Sequence, residues 1–138
     1  MKNKYLRGGS ILLVSGLIGC AHLTEIPKEL WGSSTRALEE SRSESISKTY
    51  LGDVAQCYSR VLETAKDNKW EVFIADKRKH MIVFMNIPGS IDTTEVGVFF
   101  SPVETEKTKV EVTSLSPQAK VLASNLLFAE LNKSLNEI

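Results

Sequence analysis

Four strand-like segments fill the middle of the chain and constrain its fold more than any other feature. Each is rich in β-branched and aromatic residues, and they cover residues 70–75, 81–86, 93–101 and 108–115. The connections between them are short and contain turn-forming residues such as Pro88 and Gly89. Because short connections join strands that run antiparallel to each other, the pattern predicts a β-meander.

One further strand and two helices surround the meander. Residues 46–51 alternate as in a strand, and Asp53 then stands at capping-box spacing from Gln56, ahead of a helical repeat of apolar residues. A second helix begins at Ser116-Pro117, with proline at its first position. The order β-α-β-β-β-β-α predicts a two-layer α+β domain, with a mainly antiparallel sheet and two helices on one face. This order resembles that of helix-grip-like modules.

The N-terminus has the layout of a secretory signal peptide. Three basic residues, Lys2, Lys4 and Arg7, precede an apolar run over residues 11–18. This run is shorter than the roughly 20 apolar residues that a membrane-spanning helix needs. The sequence therefore predicts export of the chain and removal of its first segment.

The end of that segment, Leu17-Ile18-Gly19-Cys20, resembles the lipobox of bacterial lipoprotein precursors. The resemblance implies cleavage between Gly19 and Cys20 and attachment of acyl chains, such as palmitate, to Cys20. Each buried methylene contributes about 0.8 kcal/mol, so two or three chains hold a protein on a membrane. Ala21 stands where an aspartate would resemble an inner-membrane retention signal. This favours the outer membrane, with the domain facing the periplasm, over the inner membrane or a monoderm cell surface.

The sequence divides into a lipoprotein signal peptide (1–19), a lipidated tether with a short helix (20–45) and the α+β domain (46–138). The tether is polar and rich in serine. Its segment Trp-Gly-Ser-Ser-Thr-Arg-Ala-Leu-Glu (31–39) resembles a string in small uncharacterised periplasmic lipoproteins. The resemblance implies no catalytic residue.

Charge argues against nucleic acid as a partner. The chain has 17 basic and 17 acidic residues, and removal of residues 1–19 takes away three basic ones and no acidic one. The mature chain then has a net charge of −3. Proteins that bind the phosphate backbone of nucleic acids have an excess of basic residues, which this chain lacks.

The sheet is predicted to be apolar on both faces. Val96, Val98 and Phe100 alternate toward the helix-covered face, whereas Phe99 points to the other. An apolar second face indicates a partner site or a cover by another part of the chain. The candidate partner surface combines three aromatic residues with the basic turn of the first hairpin: Phe73, Phe84, Phe99, Lys77, Arg78 and Lys79.

Two groups of apolar residues in the tether are candidates to cover the second face of the sheet. Leu30-Trp31 and Leu38 are the nearest apolar residues before the domain, and a short helix near residues 35–42 would lower the entropic cost of ordering them. We therefore expect residues 30–45 to lie at least partly on the domain. The basic turn would contact lipid headgroups, lipopolysaccharide or an acidic partner, or it would only keep the hairpin soluble and protect its edges.

Candidate catalytic and metal-binding residues are few. Cys57 and His80 are the only thiol and base that the domain could combine, but Cys57 falls on the apolar stripe of its helix and is predicted to be a buried core residue. His22 and His80 are too few and too far apart for a recognisable metal site. The sequence predicts no cofactor, no metal and no catalytic residue.

These patterns predict a non-enzymatic, lipid-anchored envelope protein. It would act as an accessory or scaffold module, attached to the membrane through its N-terminal lipid and bound to another envelope protein. The alternative is a small enzyme or ligand-binding domain whose site is built from tertiary neighbours and leaves no sequence motif.

Overall fold

The computed structural model describes residues 34–138. Its helices and strands are, in chain order, α1 (34–40), β1 (Ile46–Leu51), α2 (Val54–Asp67), β2 (Glu71–Asp76), β3 (Met81–Met85), β4 (Val96–Glu104), β5 (Lys107–Ser114) and α3 (Pro117–Ser134). A 3-10 turn, Ser41–Glu44, continues α1. The signal peptide, Cys20 and Leu30-Trp31 lie outside the described residues.

The five strands form one open antiparallel sheet in the order β1-β5-β4-β3-β2. The two long helices, α2 and α3, pack on one face of this sheet. The α+β class and the element order from β1 to α3 are therefore confirmed. The structure also contains a third helix, α1, which lies on the opposite face of the sheet.

Local capping residues fix where the two long helices begin. The Asp53 carboxylate accepts the Gln56 amide at 2.7 Å, and the Ser116 hydroxyl accepts the Ala119 amide at 3.3 Å. Both side chains satisfy amides that lack a partner within the helix. Pro117 occupies the first turn of α3, where a missing N–H costs least.

The main core lies between α2, α3 and the sheet. Val96, Val98 and Phe100 face it, as their alternation predicted. Phe84 also lies in this core and is fully buried, with its ring 5.4 Å from that of Trp70. The assignment of Phe84 to the second face is thus corrected: β3 is apolar on both faces, so alternation alone could not orient it.

A smaller core covers the second face of the sheet. Leu38 of α1 is 1% exposed and packs with Met81, Val83 and Phe99. Gly97 leaves space mainly for the Phe99 ring, since a Cβ there would lie 3.0 Å from a Phe99 ring carbon, whereas the Leu38 methyl carbon would be 3.4 Å away. The expectation that part of the segment 30–45 lies on the domain is confirmed for residues 34–45. The packed unit therefore includes residues that precede Ile46.

The two edges of the sheet differ. The C-terminal residues cover β1, where Leu51 donates to the Asn136 carbonyl at 2.9 Å and Ile138 donates to the Thr49 carbonyl at 3.0 Å. At the other edge, β2 has a bulge where its pairing with β3 shifts between Val72 and Ile74. A bulge bends an edge strand and makes it a poor template for another strand.

No helix within residues 34–138 is long and apolar enough to cross a membrane.

Substitution of Leu38 tests whether α1 is part of the folded unit. Leu38→Ala should lower the free energy of unfolding by about 2 to 4 kcal/mol, because it leaves a cavity between α1 and the sheet. Leu115→Ala is the matched control, since Leu115 is 70% exposed and its loss should cost under about 0.5 kcal/mol. Urea denaturation measures both. Equal, small effects would mean that α1 does not dock.

Candidate functional site

A groove of about 400 Å³ lies between the first half of α2 and the turn that joins β2 to β3. It combines an apolar wall with several polar groups. Its lining residues are Asp53, Val54, Ala55, Tyr58, Ser59, Lys77 and His80. They come from two segments that are distant in sequence, which explains why no sequence motif marked the groove.

The α2 side of the groove is held by core packing. Tyr58 is 4% exposed, and its ring lies 5.4 Å from that of Phe100 on β4. Burial, and then the charge of Asp76, raise the pKa of Tyr58. Its hydroxyl is buried and has no hydrogen-bond partner within the described part of the chain. This is unusual, because buried hydroxyl groups in proteins are nearly always hydrogen-bonded.

The turn side of the groove is held by backbone hydrogen bonds. One Asp76 carboxylate oxygen accepts the amides of Arg78 and Lys79 at 3.0 and 3.1 Å. His80 has a left-handed φ of 51°, and its carbonyl accepts the Phe100 amide at 2.9 Å. These contacts fix the two turn residues that line the groove, Lys77 and His80, relative to the core.

The predicted turn residues Lys77, Arg78 and Lys79 are all exposed. Lys77 alone of the three lines the groove. The turn therefore splits the predicted basic cluster: one lysine belongs to a concave site, and the other two charges lie outside it. Sequence reasoning identified the charges but missed the groove.

The predicted aromatic surface is not exposed as a patch. Phe99 is 3% exposed beneath α1 and its 3-10 turn, and Phe73 is half-buried against the same small core. Phe84 lies in the main core. A partner could not contact Phe84 or Phe99 while the domain keeps this packing.

Cys57 is fully buried and unpaired, as predicted. Burial raises the pKa of its thiol, with a further upward contribution from Asp53 and an opposing one from a Thr108 hydrogen bond. Both its burial and its raised pKa oppose formation of a nucleophilic thiolate. His80 lines the groove and Cys57 does not, so the structure does not bring this thiol and base together there.

Polar contacts on the second face hold the segment that follows α1 against the sheet. The Arg42 guanidinium pairs with the Glu111 carboxylate and lies 4.6 Å from the centre of the Phe99 ring. Lys109 also pairs with Glu111, at 3.3 Å. Burial alone would raise the pKa of Glu111, but hydrogen bonding and the charges of Arg42 and Lys109 outweigh it and lower this pKa. No local sequence pattern indicated these pairings.

The groove and the start of the described chain lie at opposite ends of the sheet. At one end, the Ser34 hydroxyl donates to the Glu95 carboxylate, just before β4 begins. The exposed side chains of Ile91 and Leu115 lie near this end, in loops beside Thr94 and Ser116. The β2–β3 turn, which lines the groove, lies at the other end of these antiparallel strands.

Within residues 34–138 no group of three or more His, Cys, Asp or Glu side chains could hold a metal ion. No known family model matches the chain, and no curated protein is significantly similar to it.

The ion pair on the second face predicts a pH-dependent contribution to stability. Arg42→Ala should cost about 1 to 2 kcal/mol at neutral pH, because it leaves the buried Glu111 carboxylate short of a partner. Arg36→Ala is the control: Arg36 pairs with Glu40 in solvent, and its loss should cost almost nothing.

The difference in free energy of unfolding between wild type and Arg42→Ala should be full above pH 4.5, the ordinary pKa of this carboxyl, and should shrink as pH falls through the lowered pKa of Glu111. The part that comes from the contact of Arg42 with Phe99 should remain. Urea denaturation from about pH 7 to about pH 2.5 measures it. A difference that persists unchanged at the acid end would show that the pair does not supply the stability.

Proposed function

We propose that this chain is the precursor of a lipid-anchored envelope protein, and that its domain is a non-enzymatic accessory or scaffold module that binds another envelope component. The observation that supports the anchor is the sequence Leu17-Ile18-Gly19-Cys20 behind a basic and apolar leader. Ala21 supports the outer membrane as the location. The mature domain would then face the periplasm.

The geometry of the folded part suits such an attachment. Ser34 already contacts the domain, because its hydroxyl donates to the Glu95 carboxylate. Between Cys20 and Ser34, the first described residue, there are 13 residues. Whatever its conformation, a chain of this length cannot span more than about 50 Å. The end of the domain that contains Ser34 and Glu95 would therefore stay near the membrane.

The opposite end of the domain would point away from the anchor. This end contains the basic turn, with Arg78 and Lys79 exposed. Of the residues proposed from sequence, those of this turn are exposed, whereas Phe84 and Phe99 are buried and Phe73 is half-buried. We therefore assign the partner contact to the turn. Its position favours an acidic envelope protein over the lipid headgroups of the anchoring membrane.

Replacement of Cys20 tests the anchor. Cys20→Ser should abolish incorporation of a labelled fatty acid and leave the precursor unprocessed or released, because the thioether requires sulfur. Cys57→Ala is the matched control, since Cys57 is the only other cysteine and should not affect labelling. Metabolic labelling followed by membrane fractionation measures both effects. A Cys20→Ser protein that still takes up the fatty acid would refute the anchor.

Removal of two turn charges tests the partner contact separately. The variant Arg78→Ala/Lys79→Ala should lose most of its crosslinked species in the native envelope, because the proposed partner is acidic. Lys66→Ala/Lys133→Ala removes the same number of charges from α2 and α3 and should keep them. If both variants crosslink like wild type, the turn is not the partner surface, whatever the result for Cys20.

A further inference from the structure

We propose that the groove between α2 and the β2–β3 turn binds a small molecule that has one carboxylate on an apolar body. The groove lies wholly within residues 53–80, so a ligand there would not require the lipid anchor. It would give the domain a ligand-binding activity in addition to the scaffold role proposed above.

The first observation is the unpaired hydroxyl of Tyr58. It is buried, the residue lines the groove, and the hydroxyl has no hydrogen-bond partner within residues 34–138. A buried hydroxyl that lacks a partner is destabilising, and native proteins usually satisfy such a group with ordered water or a ligand. Tyr58 therefore offers a hydrogen-bond donor, on a residue that lines the groove, to an acceptor group from outside residues 34–138.

The second observation is a pair of further donors among the residues that line the groove. Lys77 contributes an ammonium group and His80 an imidazole. Neither side chain makes an ion pair or hydrogen bond with another residue of the described part of the chain. Lys77 is exposed and His80 half-exposed, so both can adjust around a ligand. Three donors of this kind, with a positive charge, match the acceptor oxygens of a carboxylate.

The walls indicate the rest of the ligand. Val54, Ala55 and the ring of Tyr58 form an apolar surface on the α2 side. The groove volume of about 400 Å³ is typical of sites for small molecules, which combine apolar walls with a few placed polar groups. A ligand that fills it would therefore need an apolar body behind its charged group.

Two carboxylates limit the charge of that ligand. Asp53 lines the groove, and Asp76 is close enough to raise the pKa of Tyr58. Both repel any anion, and they repel a phosphate more than a carboxylate because a phosphate has a higher negative charge. We therefore expect monocarboxylates to bind and inorganic phosphate not to bind.

Titration of the isotope-labelled full chain in detergent, followed by NMR, tests the proposal. The probes are acetate, isovalerate and benzoate, which have increasingly large apolar bodies, and inorganic phosphate. We expect saturable shifts of the amides of Tyr58, Ser59 and His80, strongest for benzoate or isovalerate and absent for phosphate. The amide of Leu115, at the other end of the sheet, should not shift. If none of the carboxylates causes saturable shifts in the groove, or if phosphate binds as tightly, the proposal is wrong.

Variants identify the groups that bind. Tyr58→Phe should weaken carboxylate binding about fivefold to tenfold through loss of one hydrogen bond. His80→Asn should also weaken it, and asparagine tolerates the left-handed backbone at this position. Lys79→Gln, in the same turn but outside the groove, is the control and should bind like wild type. Unchanged affinity in both groove variants would overturn the proposal.

The stability of Tyr58→Phe gives a second, independent result. If the hydroxyl has no partner in the free protein, its removal should leave the melting temperature unchanged or raise it, since a buried unpaired group is lost. A melting temperature several degrees below that of wild type would show that the hydroxyl has a structural partner. That result would remove the main argument for the ligand.

Discussion

The second face of the sheet is apolar, and the fold depends on a cover for it. Met81, Val83 and Phe99 would expose a continuous apolar surface if Leu38 did not pack on them. Arg42 then joins the cover to the sheet through Glu111, with its guanidinium stacked near the Phe99 ring. Packing supplies the driving force for this contact, and the ion pair fixes its position. Residues 34–45 are therefore an integral part of the structure.

The packing of this cover on the sheet also determines the end of the domain at which the chain enters. Because α1 is packed against the sheet, the chain enters the folded part at a fixed place, beside Glu95 and the start of β4. The groove and the basic turn lie at the other end of the strands. If Cys20 is anchored as we propose, a short tether would hold the first end near the membrane and leave the second end for a partner or a ligand. A loose segment before β1 would not impose this orientation.

Features that depend on near neighbours in sequence could be predicted, and features that depend on distant ones could not. The caps Asp53 and Ser116 and the alternation of β4 follow from spacing alone, and the structure confirms them. Phe84 was assigned to the wrong face because β3 is apolar on both sides. The Arg42 and Glu111 contact joins residues 69 positions apart, and the groove combines Tyr58 with a turn on another element, so neither leaves a local pattern.

Amide hydrogen exchange of residues 38–45 tests most directly whether the cover belongs to the folded unit. Its amides include that of Ser45, which donates to the Arg42 carbonyl at 3.1 Å. We expect these amides to be protected and to exchange through the same opening as those of β5, which the cover contacts. Exchange at the rate of an unstructured peptide, while β5 stays protected, would contradict the account.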